Sequence, residues 1–124
     1  MEEDHPWILL KTPMKEFLLG VDIDTQSTKA VVVTLSGEIL GSGQVEYGIE
    51  QPFPSWAEQW PQVWKEAVYQ AIQQAIIKAK IPPKSIVAIC FSGLYGGSGI
   101  PVDKNMTPLR PCLIWMDRHA TQEV

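Results

Sequence analysis

At 124 residues, 45% of them hydrophobic, the chain can bury one core of ordinary size and is too short for two full domains. Its formal net charge of -4 excludes an extended polyanion-binding face, so no nucleic-acid partner is expected. No apolar run is long enough to span a bilayer, and Glu2, Glu3 and Asp4 stand where a secretory leader would be basic. Cys90 and Cys112 lie among apolar neighbours without metal-ligand spacing and read as buried, reduced thiols. His5 and His119 have no companions for a metal site, and a cytoplasmic protein without membrane attachment is the expectation.

Residues 1–13 read as an N-terminal extension, since His5-Pro6-Trp7 and Thr12-Pro13 interrupt any regular element. A continuous apolar run over 17–21 predicts a strand buried on both faces. A polar turn over 24–28 follows, then a β-branched strand over 30–35, the turn Ser36-Gly37-Glu38 and a third strand over 39–47, giving an antiparallel meander. Gln51-Pro52-Phe53-Pro54-Ser55 forces a loop, because proline cannot donate to a ladder. From 61 to 80 apolar residues fall at helical spacing: Val63, Trp64, Ala67, Val68, Ala71, Ile72, Ala75, Ile76 and Ala79, with Pro61 suited to the first turn and Ile81-Pro82-Pro83 ending the helix. Residues 86–91 predict another buried strand, parallel to a neighbour because it is entered from a helix. After a glycine-rich loop from Gly93 to Gly99, the segments 100–102 and 112–115 read as short strands paired around Asp103-Lys104-Asn105-Met106. The order predicts an α/β protein, one mixed sheet with a helix on a face.

Chemistry concentrates at the first hairpin. Asp22 ends a buried strand, where its carboxylate reaches the sheet rim, and Thr25, Gln26, Ser27 and Thr28 supply backbone N–H groups and three hydroxyls within one turn. Lys29 adds a positive charge. Such a turn can cradle phosphate oxygens, with Asp22 holding a metal ion through water; it can equally be a polar turn capped by its own hydroxyls. An apolar strand followed by Asp22-x-Asp24 also fits the start of a haloacid-dehalogenase-type phosphatase, but Gln26 breaks that pattern and the chain continues straight into a strand.

The run from Gly20 to Ala30 resembles the first phosphate motif of FGGY-type carbohydrate kinases, G-x-D-x-G-T-x-S-x-K. Trp56-Ala57-Glu58-Gln59 with Pro61 and Trp64 is similar to that family's W-x-E-Q-x-P-x-x-W. Ser92-Gly93 with Gly97, then Leu109-Arg110-Pro111, Trp115 and Asp117, resemble its S-G-x-x-x-G, L-R-P and W-x-D. With these blocks in family order, residues 14–124 are identified as the first part of an N-terminal domain of the ribonuclease-H-like, actin-like ATPase fold, with the C-terminal domain absent. The resemblance, closest to xylulose-kinase-like members, implies transfer of the ATP γ-phosphoryl group to a sugar or polyol hydroxyl with Mg2+. It implies that Asp22 takes the magnesium role, that Thr25, Gln26, Ser27, Thr28 and Lys29 line the phosphate turn, and that Leu94, Tyr95, Gly96 and Asp117 serve the sugar.

Two departures stand out. Asp24 occupies the place of the family glycine, adding a negative charge beside the phosphates; like charges about 4 Å apart repel by roughly 1 kcal/mol in water and about 4 at an effective dielectric of 20. Leu94-Tyr95-Gly96 replaces the Gln-Met-His of many xylulose-kinase-like members, and His119 stands where an arginine is common. The family's catalytic aspartate and second phosphate motif have no counterpart here, so no catalytic residue is assigned. The expectation is an N-terminal fragment, inactive alone, whose partner is the remainder of the kinase or a second copy. The alternative is a non-catalytic remnant or binding module.

Overall fold

The computed structural model describes residues 15–93 and 98–120. The extension over 1–13 and the loop residues Leu94, Tyr95, Gly96 and Gly97 therefore lie outside the described residues. Strands β1 (Phe17–Ile23), β2 (Ser27–Thr34) and β3 (Ile39–Glu46) form the expected antiparallel meander. A two-residue strand β4 (Glu58–Gln59) precedes helix α1 (Pro61–Ala79); a single 3-10 turn, Pro83–Ser85, leads into β5 (Ile86–Ser92), and β6 (Cys112–Leu113) comes last. The main sheet has the order β3-β2-β1-β5, with β5 parallel to β1, as entry from a helix predicts.

Alternation along the strands divides the sheet. Phe17, Leu19 and Val21 of β1 and Thr28, Ala30 and Val32 of β2 turn one way and are buried beneath α1. Leu18, Gly20, Asp22, Lys29 and Val31 therefore share the opposite face. The helix presents Ala67, Ala71 and Ala75 as its innermost row, flanked by Val68, Ile72 and Ile76, which is the stripe read from the sequence. It lies chiefly over β3 and β2. Gly41 and Gly43 of β3 permit this approach: a Cβ on Gly43 would overlap the Ala71 carbonyl oxygen, and one on Gly41 would sit 2.5 Å from the Ala79 nitrogen. Lys80 ends the helix in the left-handed conformation, φ 55° and ψ 41°, before the prolines.

Three expectations change. Strand β5 is not buried: Val87, Ile89 and Phe91 are each more than half exposed, because α1 does not extend over the sheet's β5 edge. Cys90, level with Gly20 on the face away from α1, is an exposed free thiol, while Cys112 is buried as expected. The segment 112–113 pairs with β4, Glu58 opposite Leu113 and Gln59 opposite Cys112. Residues 98–102 do run back along 108–113, through Ser98 N–H to the Leu113 carbonyl and Leu109 N–H to the Pro101 carbonyl. Only an isolated bridge between Val102 and Pro108 forms there, since Pro101, Pro108 and Pro111 have no N–H to donate.

Candidate functional site

Strands β1 and β2 register so that Asp22 lies opposite Lys29 and Ile23 opposite Thr28. The Asp24 N–H donates to the Ser27 carbonyl at 2.8 Å, closing the turn around Thr25 and Gln26. Three successive carbonyls of this turn are held from the interior. The Tyr47 hydroxyl donates to the Asp24 carbonyl at 2.5 Å, the Gln59 side-chain amide to the Thr25 carbonyl at 2.6 Å, and the Tyr47 backbone N–H to the Gln26 carbonyl at 2.9 Å. In a planar trans peptide the C=O and the following N–H point in opposite directions. Drawing the Asp24 and Thr25 carbonyls inward therefore turns the Thr25 and Gln26 N–H groups outward. Among the described residues, neither of these two N–H groups has an intramolecular acceptor. Two adjacent outward donors form the kind of concavity that binds an anion.

The polar side chains of the turn do not act alike. Thr28 is fully buried and bonds to the Tyr47 hydroxyl at 3.1 Å. Because the tyrosine proton is already given to the Asp24 carbonyl, Thr28 is the donor. Its hydroxyl thus braces the turn from below and is not on its exposed side. Burial, together with the nearby Asp24 and Asp22 charges, outweighs the Thr28 hydrogen bond and holds the Tyr47 hydroxyl above its ordinary pKa, so it stays a proton donor. The Thr25 hydroxyl accepts from the Trp115 indole at 3.0 Å. Gln26 is exposed and Ser27 partly so. Lys29 pairs with Asp24 at 3.5 Å, both about half exposed. Asp24, in the place of the family glycine, therefore engages the Lys29 ammonium. It carries no backbone strain, since the described non-glycine residues with positive φ are Ser55, Lys80 and Met106.

On the open face of the sheet, Asp22 and Lys29 border a recess of about 400 Å³ floored by Gly20 and closed on the β5 side by Cys90 and Ser92. No group of three or more His, Cys, Asp or Glu side chains gathers for a metal ion among the described residues. A hydrated Mg2+ needs only one or two protein carboxylates. Asp22 is such a carboxylate at the mouth of the turn.

Asp117 is engaged within the chain. It accepts from the Ala57 N–H at 2.8 Å and from the His119 N–H at 3.0 Å, and it pairs with the His119 ring. Desolvation raises its pKa, but these hydrogen bonds outweigh that and hold it below the ordinary carboxylate value. The other ring nitrogen of His119 lies 3.4 Å from Glu58, and the ring stacks on Trp56 with centroids 3.5 Å apart. Sequence reasoning assigned His119 no role; the structure makes it the link between β4 and the segment after β6. Tyr47, Gln59 and Trp115 were also missed as neighbours of the turn. The signal available was the W-x-E-Q block, which named Gln59 without a task.

The chain matches the FGGY family of carbohydrate kinases, N-terminal domain, over residues 17–124. The chain belongs to the FGGY family of carbohydrate kinases. Among its relatives it is 37% identical over 107 residues to a gluconokinase from Bacillus subtilis, covering 86% of this chain and 20% of that protein. The solved structure of ligand-bound xylulose kinase from Lactobacillus acidophilus superposes with a TM-score of 0.78 at 26% identity, covering 87% of this chain and 21% of the other. Glycerol kinase from Plasmodium falciparum with ADP shares the fold alone, with a TM-score of 0.70 at 20% identity, over 88% of this chain and 22% of the other. The chain thus spans about a fifth of the length of the FGGY kinases it matches. Family membership, with β2 following the turn directly, removes the phosphatase alternative. No helix among the described residues is long and apolar enough to cross a membrane.

Proposed function

We propose that this chain supplies the phosphate-holding turn of a cytoplasmic ATP-dependent sugar or polyol kinase and does not catalyse phosphoryl transfer by itself. The observation that carries the reading is the turn's arrangement: its carbonyls are tied inward, the Thr25 and Gln26 N–H groups face outward, and Asp22 stands at its mouth. Bound Mg-ATP would supply the transferable phosphoryl group and the charge neutralisation that the reaction needs. Thr25, Gln26, Ser27 and Lys29 would hold phosphate oxygens, Asp22 would hold Mg2+ through water, and Thr28 would brace the turn from within. The sugar is assigned to Leu94, Tyr95 and Gly96, with Asp117 keeping the segment that follows β6 in shape.

The engagement of two carboxylates supports the reading that the chain is inactive alone. Phosphoryl transfer to an alcohol needs a group that accepts or orients the hydroxyl proton. Asp103 is committed to the N–H groups of Asn105 and Thr107, and Asp117 to Ala57 and His119. The exposed apolar side chains of β5 agree with a sheet that the remaining four-fifths of a kinase would cover. The test is a chimera in which residues 17–124 replace the matching segment of the Bacillus subtilis gluconokinase, assayed for ADP release with gluconate, xylulose and glycerol. The chimera should phosphorylate at least one of them and lose about a hundredfold or more in kcat on Asp22→Asn, while the chain alone should release no ADP. Activity indifferent to Asp22→Asn, or turnover by the chain alone, would overturn the proposal.

A further inference from the structure

Gln59 is one of the largest fully buried side chains among the described residues, 2% exposed, and both ends of its amide are hydrogen-bonded. Its amide nitrogen donates to the Thr25 carbonyl at 2.6 Å and to the Gly48 carbonyl at 3.0 Å, and its amide oxygen accepts from the Trp64 indole N–H at 3.0 Å. Two acceptors on one side and one donor on the other fix which end of the amide is nitrogen. An apolar side chain of the same volume would fill the space but leave two carbonyls unpaired. The Gln59 backbone is itself anchored, opposite Cys112 in the β4-β6 ladder and two residues before Pro61 at the start of α1.

We infer that Gln59 is a positioning residue that aims the Gln26 N–H outward. The Thr25 carbonyl and the Gln26 N–H belong to one rigid peptide plane, so pulling the carbonyl in points the N–H out. Tyr47 does the same for the Thr25 N–H through the Asp24 carbonyl, which leaves Gln59 to set the second donor of the pair. Without Gln59 that peptide can rotate, and the two donors no longer converge. The inference rests on reading the turn as a phosphate cradle, but the geometry it predicts is measurable without any phosphate.

The experiment compares the 124-residue chain with Gln59→Leu by amide hydrogen exchange and by the response of amide resonances to inorganic tripolyphosphate with Mg2+. The Asp24 and Tyr47 amides, whose acceptors flank the affected peptide, should exchange roughly tenfold faster in the variant, while amides of α1 and of the β1-β2 ladder stay within about twofold. Uniform acceleration across sheet and helix, or no change at Asp24 and Tyr47, would overturn the inference. If Gln59→Leu does not fold, Trp64→Phe keeps the glutamine but frees its amide oxygen. It should accelerate the same two amides by roughly threefold, and no acceleration there would equally overturn the inference. Tripolyphosphate that shifts Gln26 as strongly in the variant as in the parent counts against Gln59 alone. A parent chain in which neither Thr25 nor Gln26 responds counts against the cradle reading, and the exchange result then still decides the positioning role.

Discussion

Asp24 is the residue at which this chain most plainly departs from its family's phosphate motif. It takes up Lys29 in an ion pair at 3.5 Å and places a second carboxylate beside Asp22 in the turn. Asp24→Gly should release Lys29 toward phosphate and remove the like charge. In the chimeric kinase it should lower the KM for ATP by roughly three- to tenfold, about 1 kcal/mol for an exposed charge. A steady-state titration of ATP checks this, and an unchanged KM would mean that the Asp24 charge is screened. The turn's own residues were legible because a motif of adjacent residues carries its geometry locally. What holds the turn was not: Tyr47, Gln59 and Trp115 reach it from 23, 34 and 90 residues away, and no spacing rule predicts such contacts. Thr28 faces inward for a reason that is local. In a strand, neighbours alternate, and Thr28 shares parity with Ala30 and Val32 in the core.

Among the elements, α1 and the meander could be read from periodicity, whereas β4 was missed because a two-residue strand has no period to detect, and β6 was read as a short strand but paired with 100–102 and not with β4. The glycines of β3 are legible in retrospect as the partners of the alanine row on α1. Gly43→Ala should push α1 off the sheet and destabilise the chain by about 1–3 kcal/mol, read as a lower denaturation midpoint in urea at unchanged slope. The tie from β4 to the segment after β6 is pH-dependent through Asp117. Its folded pKa lies below the 3.8 of a free aspartate, so between those two values the unfolded chain binds more protons than the folded one. The stabilisation is fully present above about pH 4 and is lost as pH falls through the folded value. Asp117→Asn should be less stable than the parent at pH 6, with the difference shrinking progressively in melts below pH 4.

For the molecule as a whole, the sequence conveyed fold and family together, since the first-hairpin motif, the W-x-E-Q block and the later glycine loop occur in family order and the chain superposes on FGGY kinases. The strand expected over 86–91 was read as buried because its composition suits coverage on both faces. In the chain itself β5 has α1 on neither side, so composition here reports an environment larger than the described residues provide. The account's central claim is that the turn at 22–29 holds the phosphates of a nucleotide. The most direct measurement is a titration of the isotope-labelled chain with Mg-ATP, following every backbone amide. The account predicts that the largest shifts fall on Thr25 and Gln26, with smaller ones at Asp22, Ser27 and Lys29, and that Asp22→Asn weakens the Mg2+-dependent part. Shifts centred elsewhere, or none in the turn at saturating Mg-ATP, would contradict it.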